Sequence, residues 1–273
     1  MNWKIVFRNI SIVFLFIFVT ACSTAKTTPT SAPIATQASV STEPPTAAAT
    51  EAPKSSTNTT SDGQCSNQYY PVRQGATWSY LSTGSPAGNF SYTDSITAVG
   101  ADGFTLTSQF KDLTRTQEWA CKPEGLVALQ LGGGALTSQN LKLQVDTQNA
   151  SGVTYPAKIN AGDEWDYALD FTGKMDVAGN SGDANGNDKV HFKALGVESV
   201  SVPVGMFDAM KIQVDTTLNI TVNINGLSVP VVFTSSYTHW YAPNVGEVKA
   251  SGTGSIATQS FSETIELQSY NVP

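Results

Sequence analysis

His191 and His239 are the only imidazoles in the 273 residues. Imidazole is the usual general base near neutral pH and a common metal ligand. His191 stands between Val190 and Phe192 in a run of strand character, and His239 stands beside Trp240. No partner for a triad or a metal cluster lies at motif spacing, so each reads as a hydrogen-bonded structural histidine. No GxSxG, HExxH, Walker or GxGxxG pattern occurs in its proper context. Gly132-Gly133-Gly134 lacks the Lys-Ser/Thr of a phosphate loop and reads as a turn. The remaining candidate is Asp183, Asn185 and Asn187, which alternate like the first three ligands of a calcium loop. Asp188 occupies the place of the glycine such a loop needs, and Ala194 that of its bidentate acid. A plain hairpin loop is therefore favoured over a metal site. The expectation is a non-enzymatic chain with no catalytic residues, no metal and no cofactor.

Chemistry of another kind stands at Cys22. Lys4 and Arg8 precede an apolar run over 11–19, which ends in Val19-Thr20-Ala21-Cys22. That run is too short for a stable membrane span. The order resembles the bacterial lipobox, whose cysteine is lipid-modified and becomes the mature N-terminus. An ordinary secretory signal with an incidental cysteine is the alternative. Buried acyl chains contribute roughly 0.8 kcal/mol per CH₂, so a lipidated Cys22, carrying palmitate or a similar chain, would hold the protein to a membrane. The expected location is the cell envelope, on the extracytoplasmic face. Removing residues 1–21 takes Lys4 and Arg8 from the 15 basic residues, leaving 13 against 22 acids. Such a balance argues against nucleic acid and against a polybasic membrane patch. The partners left are the membrane through Cys22, an apolar ligand, or another envelope protein. Cys65 and Cys121 remain as an even pair in an oxidising compartment and are predicted to form a disulfide. Two free thiols are the alternative.

The elements that position these residues follow from composition. Residues 1–21 read as a signal peptide. The segment 22–64 is dominated by Thr, Ala, Ser and Pro and has no aromatic residue. It cannot bury enough apolar surface to offset chain entropy, so a disordered tether spanning roughly 35 Å is expected. Residues 65–273 form the folded part, with one repeat over about 65–140 and a second over about 150–270. Tyr70-Pro71-Val72-Arg73, then Gly75, Trp78 and Tyr80, matches Tyr155-Pro156-Ala157-Lys158, then Gly162, Trp165 and Tyr167. Trp119, Pro123, Gly125 and Val127 match Trp240, Pro243, Gly246 and Val248, and Ala98-Val99-Gly100 matches Ala194-Leu195-Gly196. A binding platform has no reason to recur in both halves, whereas a fold position has. Trp78, Tyr80, Trp119, Trp165 and Tyr167 are accordingly expected in the core. Trp240 and Tyr241 are the pair expected at the surface, where they could serve a glycan.

Period-2 alternation dominates and no helix is expected beyond the signal peptide. In 210–224, Met210, Ile212, Val214, Leu218, Ile220, Val222 and Ile224 share one face. Asn225-Gly226 then supplies a type I′ hairpin turn. Its register pairs Val222 with Val229, Ile220 with Val231 and Leu218 with Phe233, points His239 inward beside Ile212, and points Trp240 outward beside Lys211. A second hairpin is expected over 202–208, with Gly205 at positive φ. The fold class is all-β: a tandem duplicated antiparallel β-meander of about ten or eleven strands forming curved sheets, as a sandwich or an open or closed barrel. Either the repeats pack on each other, or the sheet keeps a groove for an apolar ligand. Mutual packing is favoured.

Three segments carry a family resemblance. They are Tyr70-Pro71 with Gly75, Trp78 and Tyr80; Val202-Pro203-Val204-Gly205-Met206-Phe207; and Trp240-Tyr241-Ala242-Pro243 with Val245-Gly246. Together they resemble the TapB-like β-domains of unknown function found in bacterial lipoproteins, over most of 65–270. Val204 and Met206 depart from the usual alanine and threonine without disturbing the turn. The resemblance implies a curved antiparallel sheet, distantly similar to LolA-like lipoprotein carriers, and implies no activity. The function expected is a lipid-anchored binding or structural module of the envelope. A carrier of a lipid or other apolar ligand is the alternative, and glycan binding or hydrolysis ranks below both.

Overall fold

A computed structural model describes residues 65–131, 135–137, 141–177, 180–256 and 259–273. Cys22, the 22–64 tether and Gly132–Gly134 lie outside these residues. Among the described residues there is no helix. The first half contributes β1 (Thr77–Thr83), β2 (Phe90–Val99), β3 (Gly103–Gln109), β4 (Thr114–Lys122), β5 (Gly125–Ala128), β6 (Ala135–Thr137) and β7 (Leu141–Gly152). The second contributes β8 (Tyr155–Pro156), β9 (Glu164–Val177), β10 (Asn180–Val202), β11 (Gly205–Ile224), β12 (Leu227–Ala242), β13 (Gly246–Ile256) and β14 (Gln259–Asn271). These fourteen strands form one strongly curled antiparallel sheet. The sequence led to ten or eleven, and the surplus lies in short pieces such as β5, β6 and β8, whose two to four residues show no period.

The sheet closes on itself. β4 pairs with β3 along Thr114–Ala120 on one edge, and with β6 and then β5 on the other. β6 continues to β7, β7 to β9, and β14 returns to β1. Pairing therefore runs all the way round, and the inner faces meet no second layer. An edge left unpaired would present bare N–H and C=O groups to other chains. The disulfide joins Cys65 to Cys121 at the closing strand β4. Its 56-residue separation contributes about 4 kcal/mol in the chain-entropy account.

The register of β11 and β12 is the one expected from the turn. Val222 opposes Val229, Leu218 opposes Phe233, Ile212 opposes His239 and Lys211 opposes Trp240. Asn225 and Gly226 take φ of 52° and 78°, as a type I′ turn demands. The 202–208 turn is likewise tight, with Val202 opposite Gly205. One expectation is corrected: Asp183, Asn185 and Asn187 lie within β10, not in a loop. The alternating run of small polar residues extends a 23-residue strand, which pairs with β9 and β11 along that stretch.

The two entry turns carry the same bonds. Gly75 N–H donates to Ile96 O at 2.9 Å and Ile96 N–H to Ala76 O at 3.0 Å. Gly162 N–H donates to Ala194 O at 2.8 Å and Ala194 N–H to Asp163 O at 2.9 Å. Both acceptors precede a bulge, at Ile96/Ala98 and Ala194/Gly196. Ala194 therefore corresponds in position to Ile96, two residues before the Ala98 that the motif alignment chose. The hairpin glycines also cross-pack. Gly246 lies against Pro71 and Trp78, and Gly125 against the backbone of Tyr155 and Pro156.

Steric contrast at two of these glycines is testable. Both have positive φ, but a Cβ on Gly125 would sit 2.2 Å from Tyr155 O, whereas one on Gly75 meets nothing within 4 Å. Gly75→Ala carries only left-handed strain, about 1–2 kcal/mol. Gly125→Ala should cost about 1–3 kcal/mol more in urea unfolding. Equal losses would mean that the Gly125 contact is not formed.

Candidate functional site

Closure places one row of side chains around the inner wall. Trp78 on β1 opposes Asp94 on β2, Asp94 opposes Ser108 on β3, and Ser108 opposes Arg115 on β4. Alternation along each strand sends its second neighbours inward too: Tyr80 with Tyr92, and Trp119 beyond Arg115 and Gln117. From the other half come His239 and Tyr241 on β12 and Glu247 on β13, with Tyr241 opposite Glu247 at a bulge. Tyr70 and Tyr155 enter from the two Tyr-Pro segments. These residues line an interior cavity of about 260 Å³.

Its wall is largely aromatic. Tyr70 stacks on Tyr155 at 4.9 Å and on Trp119 at 5.4 Å between ring centroids, and Tyr80 stacks on Tyr92 at 5.1 Å. The polar ends are fastened to backbone or to each other. Trp78 Nε1 donates to Val245 O at 2.6 Å, Tyr80 Oη to Glu247 O at 3.0 Å, and the hydroxyls of Tyr155 and Tyr241 are 3.0 Å apart. Burial, reinforced by neighbouring carboxylates, raises the phenols of Tyr70, Tyr80, Tyr92 and Tyr241 well above the ordinary tyrosine value. They stay neutral hydrogen-bonding groups.

Four carboxylates face inward, and they are unequally satisfied. Glu263 accepts from Ser82 Oγ at 2.5 Å and from Tyr237 Oη at 2.8 Å. Glu247 Oε2 lies 2.9 Å from His239 Nδ1. Asp94 and Asp188 differ: among the described residues theirs are the buried side-chain oxygens without a hydrogen-bond partner, Oδ1 in each. Burial raises the Asp94 carboxyl, against the opposing pull of its hydrogen bond with Ser108 and the charge of Arg115. Asp188 sits between Leu169 and Leu218 on neighbouring strands. Burial pushes it up to about 6.

The expected core residues are placed as follows. Trp78, Tyr80, Trp119 and Tyr167 are buried. Trp165 is half-buried, stacks on Phe192 at 5.1 Å and donates from Nε1 to Thr154 O at 3.3 Å. Tyr241, expected at the surface with Trp240, is buried instead, because it belongs to the inward phase of β12. Trp240 points outward, donating to Glu198 at 2.6 Å with the Lys211 ammonium 5.6 Å over its ring. Trp119 and Trp240 thus face opposite ways and are not equivalent positions. His191 pairs on the outer face with Asp166 at 2.8 Å. Asn187 is engaged with Asn219, and Asp183 with Lys174. Sequence reasoning missed Tyr70, Tyr92, Asp94, Arg115 and Tyr155 as a group. The available signal was Asp94 in the apolar phase of Tyr92-Thr93-Asp94-Ser95-Ile96.

No family model matches the chain, and no curated protein matches it. The TapB-like resemblance rests on its motifs alone. Two solved structures are similar in fold. One is described as an exported protein with a YmcC-like fold, from Bacteroides fragilis NCTC 9343. It shares 14% identity over 76% of this chain and 100% of its own, at a TM-score of 0.47. The other is described as a lipoprotein, from Parabacteroides distasonis ATCC 8503. It shares 14% identity over 75% of this chain and 99% of its own, at a TM-score of 0.40.

The position of Asp188 makes stability depend on pH. Its carboxyl rises from an ordinary 3.8 to about 6 on folding, so the folded state binds the proton more tightly. The associated stability is complete below the unfolded value and is lost as pH rises through about 6. Above that, the fold carries a desolvated charge costing about 2–3 kcal/mol. Asp188→Asn should be the more stable protein at pH 8, and its advantage should shrink toward pH 4 in urea titrations. A constant difference across that range would refute the assignment.

Proposed function

We propose that the chain is a lipid-anchored, extracytoplasmic and non-enzymatic binding module, whose ligand site is the cavity within the closed sheet. The observation that carries the proposal is the Asp94 carboxylate, set in an aromatic wall with one oxygen lacking any partner. Buried polar groups in folded proteins are nearly all hydrogen-bonded, so an exception calls for an explanation, and a ligand, ion or water that completes the bond is one. Three further features support it. The 1–22 segment has the order of a lipoprotein signal ending at Cys22. The Cys65–Cys121 disulfide suits an oxidising compartment. Each histidine is bonded to a carboxylate, His191 to Asp166 and His239 to Glu247, as a structural histidine would be. The matching bonds at Gly75 and Gly162 favour an origin of the domain by tandem duplication. A carrier of a whole lipid fits less well. It calls for at least several hundred Å³ of apolar volume, and this cavity of about 260 Å³ is lined by Asp94, Arg115, His239 and Glu247.

Two measurements test the proposal. Cys22→Ala should abolish palmitate labelling and move the protein from the membrane to the soluble fraction. Unchanged labelling would contradict the anchor. For the cavity, Leu106 lines the wall and is buried, so Leu106→Phe should fill space without unfolding the domain. Small-molecule fragments detected by ligand-observed NMR on the native chain should be lost on Leu106→Phe. A screen with no binders, or one in which the variant keeps them all, would contradict a cavity site.

A further inference from the structure

On the cavity wall two carboxylates, Asp94 and Glu247, stand against one guanidinium, Arg115. Arg115 supplies one positive charge, which acts on Asp94: its Nε and Nη2 lie 3.3 and 2.9 Å from Ser108 Oγ, and its guanidinium stands 5.5 Å over the ring of Phe110. His239 Nδ1 is taken by Glu247. No lysine lines the cavity. Opposite these stand Asp94, with an unpartnered oxygen, and Glu247. The rest of the wall is aromatic, and ring faces carry partial negative charge that attracts cations.

We propose that the cavity takes a small organic ammonium ion, with its charge beside Asp94 and Glu247 and its apolar part against the aromatic wall. The proposal rests on the cavity being a ligand site and names the class of ligand. A bound ammonium offsets the desolvated carboxylate charge, supplies N–H donors where a partner is missing, and gains from the ring quadrupoles. An anion would meet two carboxylates against the single Arg115 guanidinium across a low-dielectric space. A neutral apolar molecule would leave the Asp94 oxygen as it is, without a partner.

Three probes of one shape decide the matter: benzylammonium, benzyl alcohol and benzoate, titrated into the full chain and followed by calorimetry and tryptophan fluorescence. The expected order is benzylammonium at least about tenfold tighter than benzyl alcohol, with benzoate not binding. Asp94→Asn is nearly isosteric and should erase the tenfold preference, with its thermal unfolding serving as the folding control. Glu247→Gln should reduce the preference if Asp94→Asn proves unfolded. Benzyl alcohol binding as tightly as benzylammonium, and lost on Leu106→Phe, would overturn the ammonium proposal while leaving the cavity as a ligand site. Binding by none of the three would also overturn it, and the separate fragment screen would then decide whether the cavity binds anything.

Discussion

β4 is hydrogen-bonded along both edges, and the interior of this domain exists because of it. β3 holds one side and β5 and β6 the other, so the curled sheet has no inner face open to a second layer. Closure removes the edge groups that would otherwise need covering. It also forces inward-facing side chains from distant strands to share one space. Tyr70, Asp94 and Arg115 come from the first half of the folded chain, and Tyr155, His239 and Glu247 from the second. Neither half holds the cavity alone.

The same constraint explains the aromatic content. A wide ring of strands encloses more volume than aliphatic side chains readily fill, and large planar rings span the distance while keeping polar tips for hydrogen bonds. Trp78 reaches Val245 O across 167 residues of sequence, and Tyr80 reaches Glu247 O across another 167. These bonds fasten β1 to the β12–β13 turn. The glycines at 125 and 246 allow the hairpins to press against the Tyr-Pro segments. Cavity and fold therefore draw on the same residues: Trp78 is at once a buried strut and part of the cavity wall.

Much of the fold was legible in the sequence where two signals agreed. For β11 and β12, alternation and the Asn225-Gly226 turn specify one register, and pairing at Met210–Tyr241 through Ile224–Leu227 follows it. Asp183, Asn185 and Asn187 misled because alternating polar residues resemble both a ligand loop and a solvated strand face. Closure through β6 was not legible, since three residues carry no period. The cavity was hidden for a related reason. Asp94 stands in the inward phase of β2, but whether an inward acid is paired depends on Ser108 and Arg115, which only the curvature brings beside it. Trp119 and Trp240 share a spacing to their glycines yet face opposite sides, because spacing along a strand does not fix its phase relative to the core.

Carboxyl ¹³C NMR of Asp94 over a pH titration tests most directly whether the closed sheet buries this acid in an aromatic wall. Burial raises this carboxyl, and its Ser108 and Arg115 neighbours do not reverse the shift. The resonance should therefore titrate above the ordinary aspartate range. Titration at or below that range would mean that Asp94 is solvated or fully paired, and the buried, partnerless carboxylate on which the cavity site rests would not exist.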